Sequence, residues 1–247
     1  SLTKFFHGGY FTILMAALIM GVMVSWYNGS RVERRQYTML PVRKYLDQLD
    51  RLRNDHHYET LCDNLVYLTN GTSTDMLDRD ILYSIFDKHP KRARAYWFLN
   101  VEVTEDPHTF EYSVENYGTD FVFRVHLYLG YKVNQRVNAY LRQIVSDMSA
   151  SGELPPQVHD YSVYDKPGSI GSFRFCLIRK TLAPESDVEQ RERHAIAMKY
   201  AIRRVAGSPV QWFGLENSNV FYEYVPLFTK FKPVDRMERV SVEERRA

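Results

Sequence analysis

The stretch AYWFLNVEV, residues 95–103, decides the fold of this 247-residue chain. It lies between Pro90 and Pro107, is rich in aromatic residues, and is apolar at consecutive positions in its first half. Strands buried on both faces show such runs, whereas half-exposed strands alternate apolar and polar residues. We therefore expect residues 95–103 to form a strand in the middle of a covered sheet.

The segments around this strand alternate between the two kinds of regular structure. Further strands are predicted at residues 64–69, 109–115, 121–129, 171–180 and 219–228, and helices at 42–53, 78–88, 137–148 and 187–205. This order, with one antiparallel excursion, predicts an α/β domain with a mixed sheet flanked by helices.

Residues 121–129 (FVFRVHLYL) alternate more clearly than the other predicted strands. One face carries Phe121, Phe123, Val125, Leu127 and Leu129, and the other carries Val122, Arg124, His126 and Tyr128. Alternation of this kind is typical of an antiparallel strand with one face in solvent. We therefore expect a half-exposed antiparallel strand.

Three of the predicted helices have a distinct apolar face. These faces are Val42, Leu46, Leu49 and Leu52 in helix 42–53; Ile81, Leu82, Ile85 and Phe86 in helix 78–88; and Val188, Ala195, Met198, Ile202 and Val205 in helix 187–205. Helix 78–88 is expected to be capped by Asp75 or Asp78. Each apolar face should lie against the core.

Residues 5–30 contain no Asp, Glu, Lys or Arg, and residues 10–27 read YFTILMAALIMGVMVSWY. About 20 apolar residues suffice for a helix to cross a bilayer, and Tyr10, Trp26 and Tyr27 would lie at its interfaces. A signal peptide is disfavoured because the run is long and no small-x-small cleavage site closes it. A buried core helix is disfavoured because no side of the run is polar. We predict a transmembrane helix.

The charges beside this helix predict its orientation. Lys4 stands alone before it, while the segment after it carries Arg31, Arg34, Arg35, Arg43, Lys44, Arg51 and Arg53. Basic flanks are retained in the cytoplasm, so the following domain should be cytosolic. The predicted organisation is a transmembrane helix (1–30), a basic juxtamembrane linker with a short amphipathic helix (31–60), a cytosolic α/β domain (61–231) and a disordered charged tail (232–247). Because the chain begins with Ser, we expect it to be truncated and the helix to be the last span of a polytopic protein.

Composition narrows the classes of partner. The net charge of +2 and the pI of about 8.4 owe much to the juxtamembrane arginines, and they give no indication of nucleic-acid binding. Cys62 and Cys176 lie among apolar neighbours, and we expect both to be buried, reduced thiols in a cytosolic domain.

Candidate binding features are few. His56 and His57 are adjacent, but no further ligand spacing supports a metal site. The loop 70–74 (NGTST) between a predicted strand and helix could bind a phosphate through backbone amides, although we favour an ordinary turn because it has one glycine. Lys88, Lys91, Arg92 and Arg94 form a basic cluster near Pro90, interpreted as a solvated helix end rather than a ligand or lipid site.

Sequence motifs for catalysis are not found. The chain contains no nucleophile elbow, no phosphate-binding P-loop and no dinucleotide fingerprint. We therefore predict that it is not an enzyme, and we assign no catalytic, cofactor-binding or metal-binding residue and no cofactor.

Several segments, in order, resemble one family. FHGGYFTILMAALIMGVMVSWYNG followed by SRVERRQY resembles the final transmembrane helix and basic exit of the bacterial Kup family of potassium uptake permeases. LVYLTN, ILYSIFDKHPKRARAYWFLNV, FRVHLYLGYKVNQRVNAYLRQIV and FGLENSNVFYEYVPLF resemble the C-terminal region of that family. The resemblance covers essentially the whole chain.

The resemblance implies a potassium and proton symporter, multi-pass in the plasma membrane, with a core of about twelve helices built from inverted repeats. Its ion sites would lie in that core, outside this chain, and the domain seen here would serve regulation or assembly. Contact between two copies and sensing of a nucleotide are the roles it suggests. The alternatives are a single-pass, membrane-anchored cytosolic binding module and a membrane-tethered enzyme, the latter lacking a convergent catalytic constellation.

Overall fold

The computed structural model describes residues 10–35, 37–71, 73–157, 170–182, 189–205 and 207–227. The chain divides into two compact units, one formed by residues 37–181 and 199–225, and the other by residues 1–36, 182–198 and 226–247. The first unit, called the sheet domain below, confirms the predicted α/β fold with a mixed sheet flanked by helices.

A six-stranded sheet forms the middle layer of the sheet domain, in the order β5-β6-β4-β2-β7-β8. Its strands are β2 (Cys62–Leu68), β4 (Ala93–Thr104), β5 (Phe110–Glu115), β6 (Val122–Gly130), β7 (Phe173–Thr181) and β8 (Val220–Pro226). β2 pairs in parallel with β4 and β7, β4 pairs in parallel with β6, and β5 pairs antiparallel with β6. All six predicted strands are present.

β4 lies inside the sheet, as the sequence predicts. Tyr96, Trp97, Phe98 and Leu99 are fully buried, so successive side chains pack on opposite faces. The Trp97 indole stacks on Phe123 with ring centroids 4.4 Å apart. Its N–H donates to Asn64 Oδ1 at 2.9 Å, which satisfies the one polar atom of this side chain.

The prediction of a half-exposed antiparallel strand at residues 121–129 is wrong for β6. It is antiparallel only to β5 and is parallel to β4. Val122, Arg124 and His126, placed on the solvent face by their alternation, are buried. Both faces of β6 are therefore covered, as is usual for parallel strands flanked by other elements.

Helices cover the two faces of the sheet. On one face lie a 3₁₀ turn (Val42–Tyr45), α2 (Leu46–Asn54), α3 (Arg79–Tyr83) and a π-helical turn (Ser84–Lys88). On the other lies α4 (Val137–Ser151), which contributes Val137, Leu141, Ile144 and Val145 to the core. Val42, Leu49 and Leu52 are buried in the first of these layers, so the amphipathic helix predicted in the linker packs as part of the sheet domain.

The start of α3 confirms one predicted cap. Asp78 has extended backbone geometry, and its carboxylate accepts a hydrogen bond from the Asp80 N–H at 3.0 Å. An Asp in this position satisfies one of the free N–H groups of the first helical turn. Just before it, β3 (Met76–Asp78) pairs antiparallel with β1 (Met39–Pro41), a short ladder that the sequence did not predict.

α5 (Gln190–Val205) confirms a predicted helix but not its apolar face. Ile196 is buried, whereas Met198, predicted to point inward, is 53% exposed. Val188 lies outside the described residues. A four-residue helix, α6 (Pro209–Trp212), follows and is capped by the Ser208 side chain, which accepts from the Val210 N–H.

α1 (Tyr10–Arg35) is long and apolar enough to cross a membrane. Its side chains from Tyr10 to Val24 are exposed, which distinguishes it from a core helix of a soluble domain. Its last turn carries Arg34 and Arg35. The predicted charged tail at 232–247 lies outside the described residues.

Candidate functional site

The basic cluster around Pro90 is paired with groups of the sheet domain itself. Lys91 is buried, and its ammonium lies 2.8 Å from one carboxylate oxygen of Glu223 on β8, while Lys88 reaches the other at 3.0 Å. Lys91 also donates to the Ser84 carbonyl at 2.5 Å. Burial opposes ionisation of Glu223, but hydrogen bonds from Lys91 and Lys88 outweigh it and lower the pKa of this carboxyl.

The two arginines of the cluster also have partners within the domain. Arg92 donates from Nε to the Arg53 carbonyl at 2.8 Å and from Nη1 to the Tyr58 carbonyl at 3.1 Å. Arg94 Nε lies 3.2 Å from the buried carboxylate of Asp63. The prediction of a solvated helix end is therefore wrong for Lys91, which is buried, while Lys88 and Arg94 remain partly exposed. All four charges have partners in distant parts of the fold.

The adjacent histidines have different partners. His56 Nδ1 lies 3.0 Å from an Arg92 guanidinium nitrogen, whereas His57 Nδ1 lies 2.9 Å from the Asp55 carboxylate. The backbone hydrogen bond from the His57 N–H, followed by the bond from its side chain, lowers the pKa of Asp55. Among the described residues, no group of three or more His, Cys, Asp or Glu side chains could hold a metal ion.

The two cysteines are free and buried, as predicted. Burial raises the pKa of each thiol to about 12, so both remain protonated at neutral pH. A reactive cysteine needs a lowered pKa and exposure. Cys62 and Cys176 are therefore core side chains.

The loop 70–74 runs from β2 to β3 and does not lead directly into a helix. At two of its described positions it presents carbonyl oxygens to the domain. The Gly71 carbonyl accepts from Arg124 Nη2 at 2.5 Å, and the Thr74 carbonyl accepts from the Tyr117 hydroxyl. The loop thus lies over β6, although the sequence does not place these segments together.

Arg124, which donates to this loop, is fully buried. Its Nη1 donates to the Met76 carbonyl at 2.8 Å. No carboxylate among the described residues forms an ion pair with it. Burial lowers the pKa of Arg124, and the nearby Tyr117 and Tyr37 hydroxyls partly oppose this shift.

His126 lies two residues further along the same face of β6 and is 6% exposed. Its Nδ1 lies 3.4 Å from Asn100 Nδ2, and its ring stacks on Tyr128 with centroids 6.3 Å apart. Burial and the charge of Arg124 lower the pKa of His126, while Glu102 opposes them. We call Arg124 and His126 the β6 polar pair.

Sequence reasoning missed the β6 polar pair as a candidate site. Alternating polarity on a strand indicates a solvent face when nothing else is known. The one signal in the sequence is the loop 70–74, whose composition permits anion binding but does not indicate which strand lies beneath it. The structure brings that loop to Arg124.

A cleft of about 710 Å³ lies at the carboxyl end of β6, where the chain enters α4. Its lining includes Asn134, Gln135, Asn138, Asn217 and Trp212. The Trp212 side chain is about half exposed. Amide groups beside an open aromatic ring suit a polar ligand with a flat face, and the lining also contains one basic and one acidic residue, Arg136 and Glu216.

Comparison with known proteins identifies relatives along almost the whole chain. The chain is 46% identical over 241 residues to the probable potassium transport system protein Kup 1 of Bifidobacterium longum, covering 98% of this chain and 40% of the relative. It is 42% identical over 244 residues to the probable potassium transport system protein Kup of Streptococcus agalactiae, covering 98% of this chain and 36% of the relative. A Kup protein of Lacticaseibacillus casei is 40% identical over 244 residues, with the same two shares of 98% and 36%.

The chain therefore spans less than half the length of these relatives. No solved structure matches it. The family described as K+ potassium transporter C-terminal domain matches residues 63–224, which include every strand of the six-stranded sheet except the first residue of β2 and the last two of β8. On this evidence the chain belongs to the family of potassium transporter C-terminal domains.

Proposed function

We propose that this chain is the C-terminal part of a Kup-type potassium transporter that couples potassium to proton movement. The observation that carries the proposal is the identity of 46% to a protein named for potassium transport, extending over 98% of the chain. The relatives are longer, and the remainder of their length is where a transport core would lie. α1 carries no ionisable carboxylate or basic side chain between Tyr10 and Ser30, so it offers no ion-coupling group of its own.

In this proposal α1 crosses the plasma membrane as one span of a multi-pass protein, with the sheet domain on the cytoplasmic side. The length and apolar surface of α1 support the span. The arginines at its carboxyl end and beyond support the orientation, because cytoplasmic flanks carry an excess of basic residues.

We further propose that the sheet domain regulates or assembles the transporter and has no catalytic role. Contact between two copies of the protein and binding of a regulatory nucleotide are two forms that such a role could take. The first finds support in the β5 edge, where Phe110 and Tyr112 are about half exposed. The second finds support in the polar cleft beside Trp212.

The test is potassium uptake by the full-length parent protein in cells that lack their own potassium importers, with and without the region from residue 37 onward. Growth at low potassium with the full protein establishes transport. The truncated form then shows whether the sheet domain is required or only modulates uptake. If a well-expressed, membrane-inserted parent fails to restore growth, a membrane-anchored binding module that uses the cleft becomes the better interpretation.

The span itself can be tested by Ile19→Arg, since Ile19 lies near the middle of the apolar run 10–27 and is exposed. An arginine at the centre of a spanning helix costs about 2.5–3.5 kcal/mol on insertion scales, so integration should fail. The matched control is Ile19→Leu, which should integrate normally. Retention of the arginine variant in membranes after alkaline extraction would contradict the spanning assignment.

A further inference from the structure

The β6 polar pair has two buried hydrogen-bond donors without acceptors. Arg124 Nε and His126 Nε2 have no partner among the described residues, although both atoms are shielded from solvent. An unsatisfied polar group at such depth is costly, and in native structures it usually indicates an unseen partner. The two residues are two positions apart on one face of β6, so we consider a partner that both can reach.

The orientation of the Asn100 amide determines which tautomer of His126 its hydrogen bond favours. The Asn100 amide nitrogen, placed 3.4 Å from His126 Nδ1, can only donate, so in this orientation of the amide Nδ1 is the acceptor. In the neutral ring the proton then resides on Nε2. The orphan atom of His126 is therefore a donor, like Arg124 Nε, and the missing partner must be an acceptor.

The charge of Arg124 indicates that the missing partner is negatively charged. The Arg124 guanidinium donates to the Gly71 and Met76 carbonyls, which are neutral, and no ion pair among the described residues involves it. A buried cation without an anion is destabilising unless something compensates its charge. Glu102, the acidic group that acts on His126, is exposed to solvent. An external anion would supply what the pair lacks.

The position of the pair in the fold suits a small ligand. Leu68, the last residue of β2, is in register with Leu99 of β4, and Leu99 is in register with Val125 of β6. Val125 lies between Arg124 and His126 in the sequence. β2 therefore ends beside the pair while β4 and β6 continue, and the chain from Thr69 crosses over them. Ligands of α/β sheets commonly bind where parallel strands end.

We propose that Arg124 and His126 form a binding site for a small oxyanion, covered by the loop after β2. An oxygen of the anion accepts from Arg124 Nε and another, or the same one, from His126 Nε2. The shared chemistry is that of phosphate, sulfate or a carboxylate, whose oxygens form the strong charge-assisted bonds that arginine favours. The Arg124 contacts with the Gly71 and Met76 carbonyls hold the cover in place.

The first experiment follows His126 by NMR in the whole chain, solubilised in a neutral detergent and labelled with ¹⁵N-histidine. Sodium sulfate is compared with sodium chloride at equal ionic strength, because sulfate stays fully ionised through the titration of histidine. An anion beside the ring favours its charged form, so sulfate should raise the pKa of His126 and bind more tightly as the pH falls. Identical His126 titrations in the two salts would overturn the proposal.

Variants keep the test specific. His126→Phe preserves a ring against Tyr128 but removes the donor, and His108→Phe changes an exposed histidine elsewhere in the domain as the matched control. Sulfate stabilises folded proteins in general, so the rise in Tm with sulfate is measured for each protein. Only the saturable part of the rise that exceeds the rise in His126→Phe is assigned to the site. Loss of one charge-assisted bond should weaken the apparent affinity about tenfold in His126→Phe and leave the control unchanged.

Arg124→Lys supplies the second arm, because it keeps the charge but loses the planar fork and Nε. It should weaken sulfate binding and, if it does not fold, His126→Phe still decides the question. Inorganic phosphate and acetate are then compared at fixed pH to separate a phosphate from a carboxylate site. Equal sulfate responses in the wild-type protein and both His126→Phe and Arg124→Lys would show that the orphan donors hold water, contrary to the proposal.

Discussion

Two buried cations lie on the same sheet domain in opposite electrostatic settings. Lys91, before β4, contacts the Glu223 carboxylate at 2.8 Å, so its charge is neutralised within the fold. Arg124, on β6, donates to the Gly71 and Met76 carbonyls and lies beside the Tyr117 hydroxyl, all of which are neutral groups. The first is a complete structural ion pair, whereas the second is a buried charge that still lacks an anion.

The difference shows how little charge clustering in the sequence says about binding. The conspicuous group of Lys88, Lys91, Arg92 and Arg94 has its partners inside the protein. Arg124, a single basic residue in an otherwise ordinary strand, does not. A cation becomes a candidate binding group when its surroundings leave its charge and donors unmatched, whatever its neighbours in sequence.

The largest effect should come from Lys91→Met. It leaves Glu223 largely buried, with Lys88 as its remaining cation and with the Ser84 carbonyl deprived of its donor. Breaking a buried pair on one side costs about 3 kcal/mol of unfolding free energy. Urea denaturation measures it.

Lys88→Met is the matched control, since Lys88 shares Glu223 but is about a third exposed. It should cost clearly less than Lys91→Met. Equal losses would mean that burial does not separate the two lysines, and the contrast with Arg124 would lose its basis.

Arg124→Met should have a smaller effect, because no carboxylate is left without a partner. It removes hydrogen bonds to the Gly71 and Met76 carbonyls, at about 1–3 kcal/mol for the groups left unpaired. Removal of an uncompensated buried charge offsets part of this. We expect a net loss of about 1 kcal/mol in chloride buffer, with faster hydrogen exchange at residues 73–78. A loss as large as that of Lys91→Met would show that Arg124 is as fully compensated as Lys91.

The pH dependence of stability should reveal His126. Burial, with the charge of Arg124, lowers the folded-state pKa below the ordinary 6.5, so the unfolded chain binds more protons at mildly acidic pH. Stability should therefore fall as the pH drops from 6.5 toward the folded pKa, by at most about 1.4 kcal/mol per pH unit. His126→Phe should flatten this part of the curve in chemical denaturation.

Glu223 should determine the more acidic part of the curve of stability against pH. Its lowered pKa means that its contribution is complete above the ordinary value of 4.5 and is lost as the pH falls through the lower folded value. A wild-type curve that is flat between pH 6.5 and 4.5 and falls only below would contradict the assignment to His126 while leaving that of Glu223 intact.

The smallest effect should follow Arg94→Gln. Arg94 is about half exposed, although its partner Asp63 is buried. Asp63 also accepts from the Ser172 N–H at 2.7 Å and from its hydroxyl at 2.9 Å, so its carboxylate keeps partners. We expect a loss of at most about 1 kcal/mol. A larger loss would place Arg94 with Lys91 among the essential pairs.

The sequence predicted the framework of the fold well because its strongest signals are local. The aromatic run of β4 and the apolar faces of α2 and α3 each lie within one element, and the structure confirms them. Local patterns fail where coverage comes from remote segments. The loop after β2 contributes to the burial of the polar face of β6. The strands of the β1–β3 ladder have only three residues each, which is too short for an alternating pattern to be recognised.

The candidate site was less predictable for the same physical reason. Lys91 finds Glu223 on β8, far along the chain, and Arg124 finds the Gly71 carbonyl 53 positions earlier. Neither distance leaves a spacing pattern in the sequence. α5 is a different case, because its apolar residues are too evenly spread to distinguish Ile196 from Met198 as the buried one.

The place of β2 in the sheet has a consequence for how the domain forms during synthesis. β2 is central, but one of its neighbours is β7, and the Ser172 N–H that bonds Asp63 lies 109 positions later in the chain. Until those residues leave the ribosome, one edge of β2 stays unpaired and open to other strands. Folding should therefore be slow, dominated by long-range pairing, and the nascent chain should depend on chaperones more than a helical domain of equal size.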